Sequence, residues 1–156
     1  MVFYFAYGSN LLLSQIRERI ANPILKPVFV AYMPDKILFF PRESTKQKEV
    51  VASYKDKQGH KLWGGVFDLT GEEFNKMDKC EGYEKGRKNN SYEKINVVVI
   101  KVDKTKEEVD TYLANIVGDF LPSQYYMNKL IRGAQDCHLP DYYIEELKHI
   151  ETNGID

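Results

Sequence analysis

Near the N-terminus the run Phe3-Tyr4-Phe5-Ala6-Tyr7 leads directly into Gly8-Ser9-Asn10, and a helical pattern begins at Leu11. An aromatic and apolar run of this kind is a buried strand, and the residues that follow make a tight loop. The loop offers backbone N–H groups, a hydroxyl and an amide at the mouth of a helix, where anions and carboxylates are attracted. A simple helix cap would use the same residues. What separates cap from site is whether a reactive group elsewhere in the chain faces the loop.

The elements after this strand limit the architecture. Ser9 or Asn10 is the expected cap of a helix over 11–20, with Leu12, Leu13, Ile16 and Ile20 on one face. Residues 27–33 read as a strand and 35–40 as a second apolar run before Pro41. Residues 42–49 are polar and read as a mobile loop. Residues 50–54 and 61–69 read as two strands joined by a turn at Asp56-Lys57-Gln58-Gly59. Gly64 and Gly65, inside the later strand, imply a bulge or a close backbone approach. Thr70 and Glu73 form a capping box. The helix they open buries Phe74 and Met77 and stops near Cys80-Glu81-Gly82. A polar loop over 86–91 precedes a β-prone strand over 92–102. A charged turn follows over 103–108, then a strand over 109–117. Pro122-Ser123 and Leu139-Pro140 open two last helices. Strands in series without regular βαβ alternation give an α+β fold: a small, mixed, mainly antiparallel barrel flanked by helices.

The chain has 156 residues, 29% charged and 43% hydrophobic, which fits one domain over 1–156 with a real core. A net charge of -1 argues against a nucleic-acid or acidic-membrane partner. No apolar run approaches the roughly 20 residues that span a bilayer, and the N-terminus lacks the pattern of a secretory signal. Cys80 and Cys137 make no disulfide framework, so a reducing, cytoplasmic home is expected. In that setting the sequon Asn89-Asn90-Ser91 is discounted.

Few residues are left to carry chemistry. His60, His138 and His149 lack metal-ligand spacing, the cysteines have no CxxC partner, and no phosphate loop, dinucleotide fingerprint or nucleophile elbow is present. Glu81 stands out. It ends a short capped helix among Met77, Cys80 and Tyr83, where burial would raise its pKa and suit it to move a proton near neutrality. A helix-ending surface glutamate would have the same local sequence.

The run Tyr4-Phe5-Ala6-Tyr7-Gly8-Ser9-Asn10-Leu11 resembles the N-terminal signature of the gamma-glutamylcyclotransferase family. Leu62-Trp63-Gly64-Gly65-Val66-Phe67 resembles that family's central strand, and 78–82 its catalytic-glutamate segment. Pro122-Ser123-Gln124-Tyr125-Tyr126, Gly133-Ala134, Leu139-Pro140 and Tyr142 resemble its C-terminal helical region. The resemblance implies the barrel fold, no metal and no organic cofactor, a small-molecule gamma-glutamyl substrate, and a monomer or homodimer. It implies Glu81 as catalytic acid and base. Tyr4, Phe5, Ala6, Tyr7, Gly8, Ser9, Asn10 and Leu11 become the substrate segment, with Tyr92 and Tyr126, or Tyr125 if the register slips by one. Residues 42–49 and 84–90 depart from the family pattern. The reaction implied is cyclisation of a gamma-glutamyl amide or dipeptide, glutathione metabolism included, to 5-oxoproline. A non-catalytic binding module of the same fold, and a cyclotransferase for a gamma-glutamylated amine, are the other readings.

Overall fold

The computed structural model describes residues 2–43, 50–88, 90 and 92–154. Five strands close into a barrel in the order β1 (Val2–Ala6), β3 (Val50–Leu69), β2 (Phe29–Glu43), β4 (Tyr92–Lys101), β5 (Lys106–Ala114). Antiparallel pairing joins all neighbours except β1 and β5, which close the seam in parallel at Tyr4 and Asp110. The helices are α1 (Leu13–Arg19), α2 (Gly71–Cys80), α3 (Gln124–Asp136) and α4 (Asp141–Lys148). This is the expected mixed, mainly antiparallel barrel with helices around it. No helix of the described residues is long and apolar enough to cross a membrane.

The apolar runs form the core. Phe5, Leu62, Val66, Phe67 and Leu69 are fully buried. Gly64 permits a close approach and is not a bulge: it pairs in register with Ala31, and an added Cβ would lie 2.6 Å from the Phe5 ring. Gly133 of α3 does the same at the end of β1. A Cβ there would come within 2.5 Å of the backbone of Leu11 and Leu12. Helix α3 is thereby seated directly on the chain that leaves β1.

Several boundaries differ from the sequence reading. The two runs at 27–33 and 35–40 are one strand, β2, and the two runs at 50–54 and 61–69 are one strand, β3. The turn residues at 56–59 do not reverse the chain. Pro34 pairs with Lys61 and Lys36 with Asp56, so residues 57–60 bulge out opposite Asp35. Asp35 (φ 57°) and Gly59 (φ 81°) both take the left-handed conformation. The Gly59 N–H donates to Asp35 Oδ1 at 2.8 Å and locks the two bends together. Turn chemistry bends a long hairpin here where it was expected to divide it. Arg42 and Glu43 belong to β2. Residues 44–49, Asn89 and Ser91 of the sequon lie outside the described residues. Strand β5 ends at Ala114, and the chain beyond runs beside β2, where Val117 and Gly118 donate to the Pro41 carbonyl.

The expected cap of the first helix is also revised. Residues Ser9–Leu11 form a 3-10 turn, and α1 begins after Leu12 with no side-chain cap. Asn10 is buried and its side chain is engaged elsewhere.

Candidate active site

Glu81 owes its position to the two ends of α2. At the N-terminus Thr70 Oγ1 accepts from the Glu73 N–H at 3.1 Å, and the Glu73 carboxylate accepts from the Thr70 N–H at 3.0 Å, completing the capping box. Phe74 and Met77 face the core. At the C-terminus Glu81 is the cap residue and Gly82 takes φ 70°. The Tyr83 N–H donates to Asp78 O at 2.8 Å and the Gly82 N–H to Lys79 O at 3.2 Å, the Schellman pattern that a left-handed glycine allows. This turn ends the helix with the Glu81 side chain directed back against the start of the chain.

The partners that meet it come from β1, the 3-10 turn and α1. Asn10 Nδ2 donates to Glu81 Oε1 at 2.9 Å and to the Tyr4 hydroxyl at 2.9 Å. Arg19 Nη1 lies 3.3 Å from the same carboxylate oxygen. Asn10 Oδ1 accepts from Arg19 Nη1 at 2.8 Å and from Gln15 Nε2 at 3.2 Å, and Gln15 also donates to Ser9 Oγ at 2.8 Å. The Glu81 side chain is 11% exposed. Burial raises its pKa above the ordinary value. Arg19 and the Asn10 amide pull it part of the way back, and the Asp78 charge adds to the rise. The result is a desolvated carboxylate held by two donors, with an affinity for protons above that of a free glutamate.

The surrounding tyrosines stay neutral. Burial, reinforced by the Glu81 charge, raises the pKa of Tyr4 and of Tyr92. Tyr7, raised by burial and by Tyr54, donates to the Tyr112 carbonyl at 2.6 Å. The Tyr112 hydroxyl donates to Asp78 Oδ1 at 2.5 Å, and Lys94 Nζ binds Asp78 Oδ2 at 2.9 Å. Asp78, one helical turn before Glu81, is thereby spent on the wall of the site.

These groups line a cavity of about 290 Å³. Glu81, Tyr4, Tyr7, Gly8, Ser9, Asn10, Tyr92 and Tyr126 all border it. Among the described residues no hydrogen bond is made by the amide N–H of Gly8, Ser9 or Asn10. A Cβ on Gly8 would stand 3.2 Å from Ala52 Cβ and 3.4 Å from the Tyr126 hydroxyl, so glycine keeps the passage open.

Four candidates do not border the cavity. Phe5 and Ala6 are buried in the core; Phe5 alternates with Tyr4 along β1 and so faces away from it, while the short Ala6 side chain is covered. Leu11 is buried against Gly133 and Gly65. Tyr125 is 55% exposed under the Lys129 ammonium, while Tyr126, next in the chain, is 5% exposed and faces inward.

Arg19, Gln15 and Tyr112 are further members of the site that the sequence reading did not single out. A signal existed for the first two. They stand four residues apart on one face of the helix that follows the loop, two polar groups where either alone reads as solvated surface. Tyr112 carried no such signal.

The family model described as the AIG2-like family matches residues 61–147. Human gamma-glutamylcyclotransferase is 32% identical over 154 residues, covering 96% of this chain and 79% of that protein. The mouse protein of the same name is 31% identical over the same extent. Among solved structures, one titled gamma-glutamyl cyclotransferase matches with a TM-score of 0.85 and 29% identity, over 99% of this chain and 93% of that one. YkqA from Bacillus subtilis, with a TM-score of 0.77, is 20% identical, covers 97% of this chain and 56% of its own, and is a likeness of fold.

Proposed function

The chain belongs to the gamma-glutamylcyclotransferase family, and on that premise we propose that it cyclises a gamma-glutamyl amide or dipeptide to 5-oxoproline, with Glu81 carrying the proton. Residues 1–156 form a single domain for this task, and its partner is a small gamma-glutamyl compound. The observation that carries the reading is the Glu81 carboxylate, 11% exposed, bordering one cavity with Gly8, Ser9 and Asn10.

The reaction is intramolecular. The substrate's α-amino nitrogen attacks its own δ-carbonyl carbon and closes a five-membered lactam. The bond from that carbon to the leaving nitrogen then breaks. Two protons leave the α-ammonium as it becomes the lactam N–H, and the departing nitrogen takes up two as it becomes an ammonium, so a single carboxylate that accepts a proton and returns it, once for each, balances the sequence. The substrate brings its nucleophile, and no serine, cysteine or histidine is required of the enzyme. The folded gamma-glutamyl chain needs only to be held with its ends together, which supplies much of the acceleration.

Burial serves this role. An ordinary glutamate, with a pKa of about 4.3, is a poor base for an ammonium group, and each unit of upward shift removes about 1.4 kcal/mol of the mismatch. The unspent amides of Gly8, Ser9 and Asn10 suit the substrate carboxylate or the oxyanion that forms on the δ-carbonyl.

Glu81→Gln keeps the shape of the side chain and removes the proton carrier. It should lower 5-oxoproline release from gamma-glutamyl-alanine by about a hundredfold or more, with the thermal unfolding transition kept. Wild-type turnover in this variant would refute the assignment. Gamma-glutamyl dipeptides, glutathione and gamma-glutamyl amines, compared by kcat/KM, sort the leaving group.

A further inference from the structure

We propose that Arg19 is a positioning residue that fixes the amide of Asn10 and holds Glu81 ionised in its desolvated site. The proposal rests on the reading of Glu81 as the proton carrier. Its geometry is that of one guanidinium nitrogen shared between two acceptors: Arg19 Nη1 reaches Asn10 Oδ1 at 2.8 Å and Glu81 Oε1 at 3.3 Å.

An asparagine amide can be turned end for end, and its neighbours decide which end faces which group. The Tyr4 hydroxyl can give or accept a hydrogen bond and so decides nothing. Gln15 presents an amide of its own that can turn as well, and Met77 Sδ, 3.4 Å from Asn10 Nδ2, is only a weak acceptor. Arginine has donors only and remains charged. Its contact therefore obliges the near end of Asn10 to be the oxygen and the far end to be the NH2, which then donates to Glu81 at 2.9 Å. Arg19 thus acts on Glu81 twice, through its own charge and through Asn10. Without it Asn10 could present its carbonyl to the carboxylate, which would reward a protonated Glu81 instead of an ionised one.

The other ionisable groups around Glu81 do not duplicate this action. Tyr4 from β1, Tyr7 from the chain that leaves it, and Tyr92 from β4 are neutral hydroxyls with raised pKa. Asp78, on α2, carries a charge of the wrong sign and is bound by Lys94 of β4 and Tyr112 of β5. Lys79 and Cys80, adjacent on α2, are exposed on the rim. From β2 and α3, Arg42, Tyr126 and Lys129 border the same cavity. Among the described residues the guanidinium of Arg19 is the cation within ion-pair distance of Glu81.

The test uses two readouts. One is the titration midpoint of the Glu81 carboxyl carbon by NMR, assigned through its loss in Glu81→Gln, which needs no turnover. The other is kcat/KM for gamma-glutamyl-alanine against pH. In Arg19→Met the midpoint should rise by about one to three pH units, the effect of an opposite charge at this range. The acidic limb of kcat/KM should move by the same amount, and activity should recover at higher pH. Arg19→Gln gives the same comparison if the methionine variant does not fold. Arg19→Lys keeps a charge but not the planar fork, so its midpoint should stay near that of wild type while kcat falls about tenfold. An unchanged midpoint in the neutral variants, with a raised KM or with no kinetic effect, would overturn the proposal. An enzyme inactive on every gamma-glutamyl compound would count against the reaction, while the NMR midpoint would still decide the role of Arg19.

Discussion

Replacing Gly133 by alanine should unseat the loop at the centre of this site. On helix propensity alone the change is favourable by about 1 kcal/mol, because Gly133 lies inside α3. The contacts oppose it. The new Cβ would stand 2.5 Å from the Leu11 carbonyl carbon and the Leu12 nitrogen. Ordinary carbon contacts lie at about 3.5 Å, so α3 and the 3-10 turn must separate by about 1 Å. Both obstacles are backbone, and no side chain can swing away. Overpacking of this kind costs about 3 kcal/mol at the upper end of its usual range. The clash wins by about 2 kcal/mol, which for a chain of this length lowers the melting temperature by roughly 4–8 °C. The same displacement moves Ser9 and Asn10 away from Glu81, and misplacement by about 1 Å can cost about a hundredfold in rate. Thermal unfolding by circular dichroism and 5-oxoproline release from gamma-glutamyl-alanine read the two effects. A melting temperature at or above that of wild type would show that the propensity gain wins and that α3 does not press on the loop.

The raised pKa of Glu81 also predicts a pH-dependent stability. The folded state binds this proton more tightly than the unfolded chain, so the carboxyl's contribution to stability is full below the unfolded value and is lost as pH rises through the native one. Glu81→Gln should therefore melt higher than wild type at pH 7, with the gap narrowing towards pH 4, and a gap independent of pH would refute the burial argument. The adjacent tyrosines offer a paired test. Tyr126→Phe removes a hydroxyl from the cavity and should lower kcat/KM about five- to tenfold, whereas Tyr125→Phe, on the exposed side of the same helix turn, should leave it within about twofold of wild type. Equal effects would mean that the inward face of α3 is wrongly assigned.

Signals that act within a few residues were legible in the sequence. The aromatic strand at the N-terminus, the capping box that opens α2 and the glycine that ends it depend on backbone preference and nearest-neighbour hydrogen bonds. The chain therefore announces a helix that stops at Glu81. The turn signal at 56–59 marks a real irregularity, since residues 57–60 leave the ladder, although the chain does not reverse there. Whether such a bend divides two strands or kinks one depends on Asp35, more than twenty residues earlier in the chain. The choice between Tyr125 and Tyr126 likewise needed the rotation of α3 against the barrel, which is set where Gly133 touches Leu11. Arg19 and Gln15 looked like solvated helix surface, and only closure of the barrel brings α2 up beside α1. The sequence alone therefore singles out a glutamate and a loop and makes each locally stable. The tertiary structure alone makes them neighbours and adds the cation between them, because burial and charge pairing are properties of what surrounds a group, and the surroundings of Glu81 come from parts of the chain distant in sequence.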